Sequence, residues 1–251
     1  MKHTVLAMFI GIAVLSALFA GPRQCRAADE EVRPIIMDAI ERFKTVRDYT
    51  CRLDKRVDKG GVLHEDLAIQ VKYKKPAHYY FRWTTGTAKG REVIFAAGRY
   101  DDQLVAHPGG FFQFVTLRLD PEGRAAMREN RHSLHHSGLE QILHLVDADY
   151  RRARNMGLEA VHLLGERHLD DRSVWCLRGS FPEHRGFYAK TVLLYIDKEL
   201  HLPVKISIRD GSGRLVEEYV FHELKLDTGL SEEDFDPGNP AYDFRSKKKI
   251  R

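Results

Sequence analysis

The sequence predicts an α+β protein, mainly antiparallel β. The expected form is a curved, incomplete barrel of about eleven strands, with an N-terminal helix and a central helical insertion over its concave face. Three observations lead there. Apolar residues alternate with polar ones through two long regions of the chain. A helical period precedes the first region, and another separates it from the second. Turn signals rich in Gly, Asp and Pro punctuate both regions at short spacing.

The first residues stand outside this scheme. Lys2 and His3 give a positive start, and Val5 to Ala20 is an unbroken run of apolar and small residues. Gly21 and Pro22 end it, and Cys25-Arg26-Ala27 places small residues three and one before a cut. This is the layout of a secretory signal peptide over residues 1–27, cleaved after Ala27. The run is short for a membrane span, which needs about 20 apolar residues. Cys25 does not read as a lipid-accepting cysteine, because Pro22, Arg23 and Gln24 stand where small or aliphatic residues belong. The mature chain is therefore expected in the periplasm or outside the cell. That compartment disfavours ATP- and NAD-dependent chemistry and permits disulfides.

Pro34 opens the first helix, with Ile35, Ile36, Ala39, Ile40, Phe43 and Val46 at helical spacing and an end near Asp48. Period two then takes over. Tyr49, Cys51 and Leu53 form one strand face, and Asp58-Lys-Gly-Gly61 is a turn. Leu67, Ile69, Val71 and Tyr73 follow, then Tyr79, Phe81 and Trp83 beyond Lys75-Pro76. Val93 to Phe95, Tyr100 to His107 and Phe111 to Leu119 complete six strands. Asp120-Pro121 starts the insertion, at about residues 120–156, with a short helix over Gly123 to Asn130. Ser137 is placed to cap a second helix carrying Leu139, Ile142, Leu143, Val146 and Tyr150. Five more strands are expected: Val161 to Leu169, Val174 to Phe181, Thr191 to Ile196, Val204 to Ile208 and Leu215 to Leu226. The segment Phe235 to Phe244, with two prolines, is irregular. Residues 28–244 make one domain, and residues 245–251 a basic, solvated tail. An antiparallel sheet of this length curls, and the two helical segments are its available cover.

Charge argues against nucleic acid. Residues 1–27 hold three of the 40 basic residues and none of the 36 acidic ones, so the mature chain is nearly neutral. The tail Arg245-Ser-Lys-Lys-Lys-Ile-Arg251 holds five of the basic residues that remain, and without it the body is mildly acidic. The tail also permits a peripheral contact with a membrane or other envelope surface. The mature chain retains Cys51 and Cys176. In an oxidising compartment such a pair reads as one bridge, worth about 2–4 kcal/mol, with two buried free thiols as the alternative.

Reactive patterns are weak. His132, His135 and His136 cluster, and His136, Glu140 and His144 share one face if one helix holds them. Three groups spread over two turns do not meet at one ion at about 2.0–2.2 Å. There is no Gly-x-Ser-x-Gly elbow and no phosphate-cradling glycine motif. Neither a catalytic residue, a metal nor a cofactor is expected. The aromatic set is the stronger signal: Phe81, Trp83, Phe95, Phe112 and Phe114 project toward one face of the first half-sheet. They line either an ordinary core or a cavity sized for an acyl chain.

Tyr49-Thr-Cys51, Lys75-Pro76, Gly90-Arg-Glu92, Leu119-Asp120-Pro121, Leu202-Pro203-Val204 and Asp234-Phe-Asp236 with Asn239-Pro240 and Tyr242-Asp-Phe244 occur in that order. On these residues the chain, over about 33–244, resembles a family of secreted bacterial proteins, the domain of unknown function numbered 1571. The family also carries cysteines at the places of Cys51 and Cys176. The layout resembles the periplasmic lipoprotein-carrier fold of LolA and LppX, in which a curved sheet holds acyl chains under a helical lid. The resemblance implies a monomeric, non-enzymatic binder or carrier of a lipid, an acyl chain or a lipidated protein. An envelope sensor domain and a hydrolase built on His132, His135 or His136 are the alternatives.

Overall fold

The computed structural model describes residues 22–110, 115–136, 138–183 and 185–244. Eleven antiparallel strands form one sheet: β1 (Asp48–Lys59), β2 (Val62–Lys74), β3 (His78–Trp83), β4 (Glu92–Ala96), β5 (Leu104–His107), β6 (Leu117–Leu119), β7 (Val161–Leu169), β8 (Arg172–Ser180), β9 (Thr191–Asp197), β10 (Pro203–Arg209) and β11 (Leu215–Leu226). Their spatial order is β6-β5-β4-β3-β2-β1-β11-β10-β9-β8-β7. Two meanders thus run outward from a central seam at which β1 pairs with β11, Tyr49 opposite Leu226 and Val57 opposite Glu217. The sheet stays open, with β6 and β7 at its edges. The edges are blunted: β6 has three residues, and β7 is irregular between Leu163 and Glu166.

Turn chemistry sets the register. Lys59 pairs with Val62, so Gly60-Gly61 is a two-residue turn, and both glycines have positive φ (65° and 84°). That geometry matches the strand twist and is open to glycine without strain.

Helix α1 (Pro22–Thr45) and helix α2 (Leu139–Asn155) lie on one face of the sheet. The α1 residues Val32, Ile36, Ala39 and Phe43 are buried there with Tyr49, Leu53, Ile69, Tyr73, Phe81, Leu177, Leu194 and Ile206. On the opposite face a smaller cluster joins Tyr80, Ile94, Ala96 and Val105 to Phe235 and Phe244 of the C-terminal segment. That segment is pinned by buried carboxylates. Glu92, fully buried, accepts from the Tyr80 hydroxyl at 3.0 Å and from the Asp243 N–H at 2.9 Å. Asp48 accepts from the N–H groups of Thr228 (2.6 Å) and Gly229 (3.2 Å).

Several expectations need correction. Helix α1 starts at Pro22, and Pro34 lies inside it instead of opening it. Val32 and Ile36, buried on either side of Pro34, hold the helix against the sheet and offset part of the roughly 3 kcal/mol cost of an interior proline. Residues 123–130 form turns, not a helix. The Lys59 ammonium takes the Met127 carbonyl and, at 2.6 Å, the Asn130 carbonyl, capturing acceptors that a continuing helix would use. Gly138 occupies the N-cap of α2, while Ser137 lies outside the described residues. A side chain at 138 would meet Tyr49 and Tyr79 oxygens at 2.9–3.0 Å. Phe112, Phe114 and residues 1–21 also lie outside the described residues.

The expected disulfide is not formed: Cys51 and Cys176 are both free and buried. Strands β11, β10 and β9 separate β1 from β8, a gap on the order of 15–20 Å at normal strand spacing. Cys51 lies on the helix-covered face with Leu177, whereas Cys176, its neighbour, pairs opposite Tyr195 and points to the other side. A bridge needs Cα atoms within about 7 Å. Burial raises the Cys51 thiol far above its ordinary pKa, so it is unreactive as well as unpaired. In the chain from Ala28 onward, thiol titration in denaturant without reductant is expected to find two thiols, and almost none in the native protein.

Candidate ligand cavity and polar latch

Among the described residues, two cavities lie at opposite ends of the covered face. The first lies under α2. Leu145, Val146 and Tyr150 of α2 face Leu177 of β8, Val192 and Leu194 of β9, and Ile206 and Ile208 of β10, with Ile36 of α1 beside them. These strands supply apolar residues in alternation, so their inward faces form a continuous greasy floor. The volume open to the centre of a water molecule is about 40 Å³, room for a few waters at most. Helix α2 is flanked by Gly138 and by Gly157, the latter at φ 65°.

The second cavity, of about 140 Å³, lies under residues 125–134. Trp83, Val93, Leu104, Ala106 and Leu134 line its apolar side, and Asp66, Arg91, Arg128, Glu129 and Asn130 its polar side. This is where the structure places Trp83. Phe81 and Phe95 lie behind it on the same face, both buried. Phe81 stacks on Tyr79 with centroids 5.8 Å apart, and Phe95 stacks on His135 at 4.6 Å.

Between the two cavities, charged side chains fasten the insertion to the sheet. Lys55 and Glu217 both project to the covered face, and both are nearly fully buried. The Lys55 ammonium lies 3.4 Å from Asp66 and donates to the Asn130 side-chain oxygen. Burial lowers its pKa, with the Asp66 charge opposing. Glu217 receives Arg131 Nε at 3.0 Å, the Tyr219 hydroxyl at 3.0 Å and the Tyr188 hydroxyl, with His132 Nε2 at 3.5 Å. Burial alone would raise the Glu217 pKa. Hydrogen bonds from His132, Tyr188 and Tyr219 outweigh it and hold the carboxyl below its ordinary value. The His132 ring meets the Tyr188 hydroxyl at 2.5 Å. His132 is thereby a strut of the latch. Tyr188 also ties its loop to α2 by donating its backbone N–H to Asp149 at 3.3 Å.

The predicted face of His136, Glu140 and His144 does not form. His136 ends a separate 3-10 turn, Leu134–His136, while Glu140 accepts from the Tyr73 hydroxyl at 2.9 Å. Lys55 and Glu217 were accessible to sequence reasoning and were missed. Lys55 falls in phase with Tyr49, Cys51, Leu53 and Val57, and Glu217 in phase with Tyr219 and Phe221. A charge on the apolar phase of a strand is the signal of a buried pair.

Residues 46–244 match the family model described as Protein of unknown function (DUF1571). The chain belongs to this family. Among solved structures, the lipoprotein LppX of Mycobacterium tuberculosis is similar, with a TM-score of 0.50 and 13% identity, covering 83% of this chain and 100% of that one. An uncharacterized conserved protein from Thermus thermophilus has a TM-score of 0.45 at 11% identity, covering 82% of this chain and 92% of that one. A putative outer membrane lipoprotein-sorting protein domain from Vibrio parahaemolyticus has a TM-score of 0.36 at 12% identity, covering 80% and 95%. No curated protein matches the sequence. The fold is that of the LolA/LppX-like proteins, as expected: an open eleven-stranded antiparallel sheet covered by helices. Among the described residues, no helix is long and apolar enough to cross a membrane.

Proposed function

We propose that the chain is exported, cut after Ala27, and works as a non-enzymatic binder or carrier of a lipid, an acyl chain or a lipidated protein. The observation that carries this reading is the apolar cavity between α2 and strands β8–β10. Its lining is mostly apolar, with Asp149 as the one carboxylate, and its roof is a helix bounded by glycines. The present volume admits only a few waters, so the ligand enters as α2 lifts on Gly138 and Gly157. The polar latch at residues 127–132 holds the other part of the insertion in place while α2 moves. Phe81, Trp83 and Phe95, with Phe112 and Phe114 of the same half, are proposed as the apolar wall that a longer chain reaches next.

Native mass spectrometry of protein purified from the periplasm tests this. Copurified lipid is the expected result. Val146→Phe fills the roof without adding charge and is expected to weaken fatty-acid binding at least about tenfold. A wild-type protein that carries no lipid and takes up no fatty acid would overturn the reading.

A further inference from the structure

We propose that Glu122, His135 and His136 form a site for a divalent transition-metal ion of the Zn²⁺ class. The ligand atoms of these three side chains lie within 4.8 Å of one another, although Glu122 is thirteen residues before His135 in sequence. Ligands around a tetrahedral Zn²⁺, each about 2.0–2.2 Å from the ion, are roughly 3.4 Å apart. Glu122 and His136 are exposed and His135 is half-buried, so small side-chain rotations close that difference. Two imidazoles and one carboxylate suit Zn²⁺, and water takes the fourth position.

The strongest feature is the way His135 is held. Its Nδ1 lies 2.7 Å from the hydroxyl of Ser133, which is itself buried. Its ring stacks on Phe95 of β4, with planes 19° apart. With Nδ1–H donating to that hydroxyl, Nε2 is the unprotonated nitrogen that would bind the metal, the arrangement in which an outer hydrogen bond orients a ligand histidine. His136 brings its ring centroid to 4.0 Å from that of His135. Two adjacent imidazoles with a carboxylate within reach of both are suited to share a cation. The ion would close residues 122–135 into a loop anchored on Phe95, above the cavity that Trp83 lines.

The test uses the untagged mature chain, freed of metal with EDTA and titrated with Zn²⁺ by calorimetry. One Zn²⁺ per chain is expected, and Co²⁺ is expected to give the visible bands of a tetrahedral site. His136→Ala and Glu122→Gln alter exposed side chains, and each should weaken Zn²⁺ binding at least about tenfold. His144→Ala and His168→Ala are expected to bind like the wild type. Melting temperatures measured in EDTA report whether each variant is folded. Absence of saturable binding, or equal binding by folded His136→Ala and Glu122→Gln, overturns the assignment.

Discussion

Replacing Phe235 with Ala is expected to cost about 3–5 kcal/mol, the range for emptying a fully buried aromatic site. Phe235 has no exposed surface and sits among Tyr80, Ile94, Ala96, Val105 and Phe244. Its ring meets His78 edge-on at 5.5 Å, and its carbonyl accepts from the Tyr100 hydroxyl at 3.2 Å. It is the main apolar plug between the C-terminal segment and the outer face of β3, β4 and β5. The cavity it leaves has one wall made of irregular chain, so the loss reaches beyond packing. The Lys72–Asp234 pair at 2.7 Å and the Asp243 N–H bond to Glu92 depend on the same segment staying docked. The melting temperature should fall by roughly 6–20 °C for a domain of this size. Hydrogen exchange should show residues 230–244 opening before the rest. A melting temperature within about 2 °C of the wild type would show that the segment is merely draped over the sheet.

The second large effect is expected at Glu217. Glu217→Ala leaves the Tyr188 and Tyr219 hydroxyls without their shared acceptor, and it removes the partner of Arg131. Arg131 is 42% exposed and can turn toward water, so the main loss is at the two tyrosines. The expected cost is roughly 2–4 kcal/mol. Glu217→Gln keeps one acceptor oxygen and should cost less. The effect is also local: exchange protection should fall for residues 120–136 more than for β1 and β11. A pH series adds an independent readout. The folded pKa of Glu217 lies below the unfolded one, so its stabilisation is complete above the unfolded value and disappears as pH falls through the folded one. Wild type should therefore lose stability on acidification more steeply than Glu217→Gln. Parallel pH profiles would mean that the carboxylate does not hold the insertion down.

The sheet was legible because its strands alternate cleanly and its turns carry their own signals. Tyr49-Cys51-Leu53 and Ile69-Val71-Tyr73 each mark one face, and Gly60-Gly61 fixes the register between them. The pairing of β1 with β11 was not legible, since alternation says which face is inward and nothing about which strand is adjacent. That gap produced the mistaken disulfide: Cys51 and Cys176 both sit in good strands, but the strand order keeps them apart. The insertion was read less well for a different reason. Its stretch from Gly123 to Asn130 has local helix formers, yet its carbonyls are claimed by Lys59, a residue more than sixty positions earlier. Long-range polar contacts of that kind override local propensity. Phe81, Trp83 and Phe95 do share one face of the sheet, as their alternation implies. The aliphatic floor under α2 went unnoticed because Leu177, Val192, Leu194 and Ile206 look like any strand interior.

The central seam has a consequence for how the molecule is made. Each meander is a series of hairpins between consecutive strands, so most pairings in either half join residues near in sequence. The seam joins Tyr49 to Leu226, almost the full length of the folded chain. Local hairpins close quickly, whereas a contact of such separation waits on a large loop-closure entropy. A chain made N-terminus first presents β1 to solvent long before β11 arrives. Until then the inner edge of the first half-sheet is bare, with the unpaired N–H and C=O groups of a twelve-residue strand. Such an edge invites strand addition from other chains. The interval between the arrival of β1 and of β11 is the period of greatest aggregation risk, and the charged residues Arg52, Asp54 and Arg56 along β1 are suited to guard it.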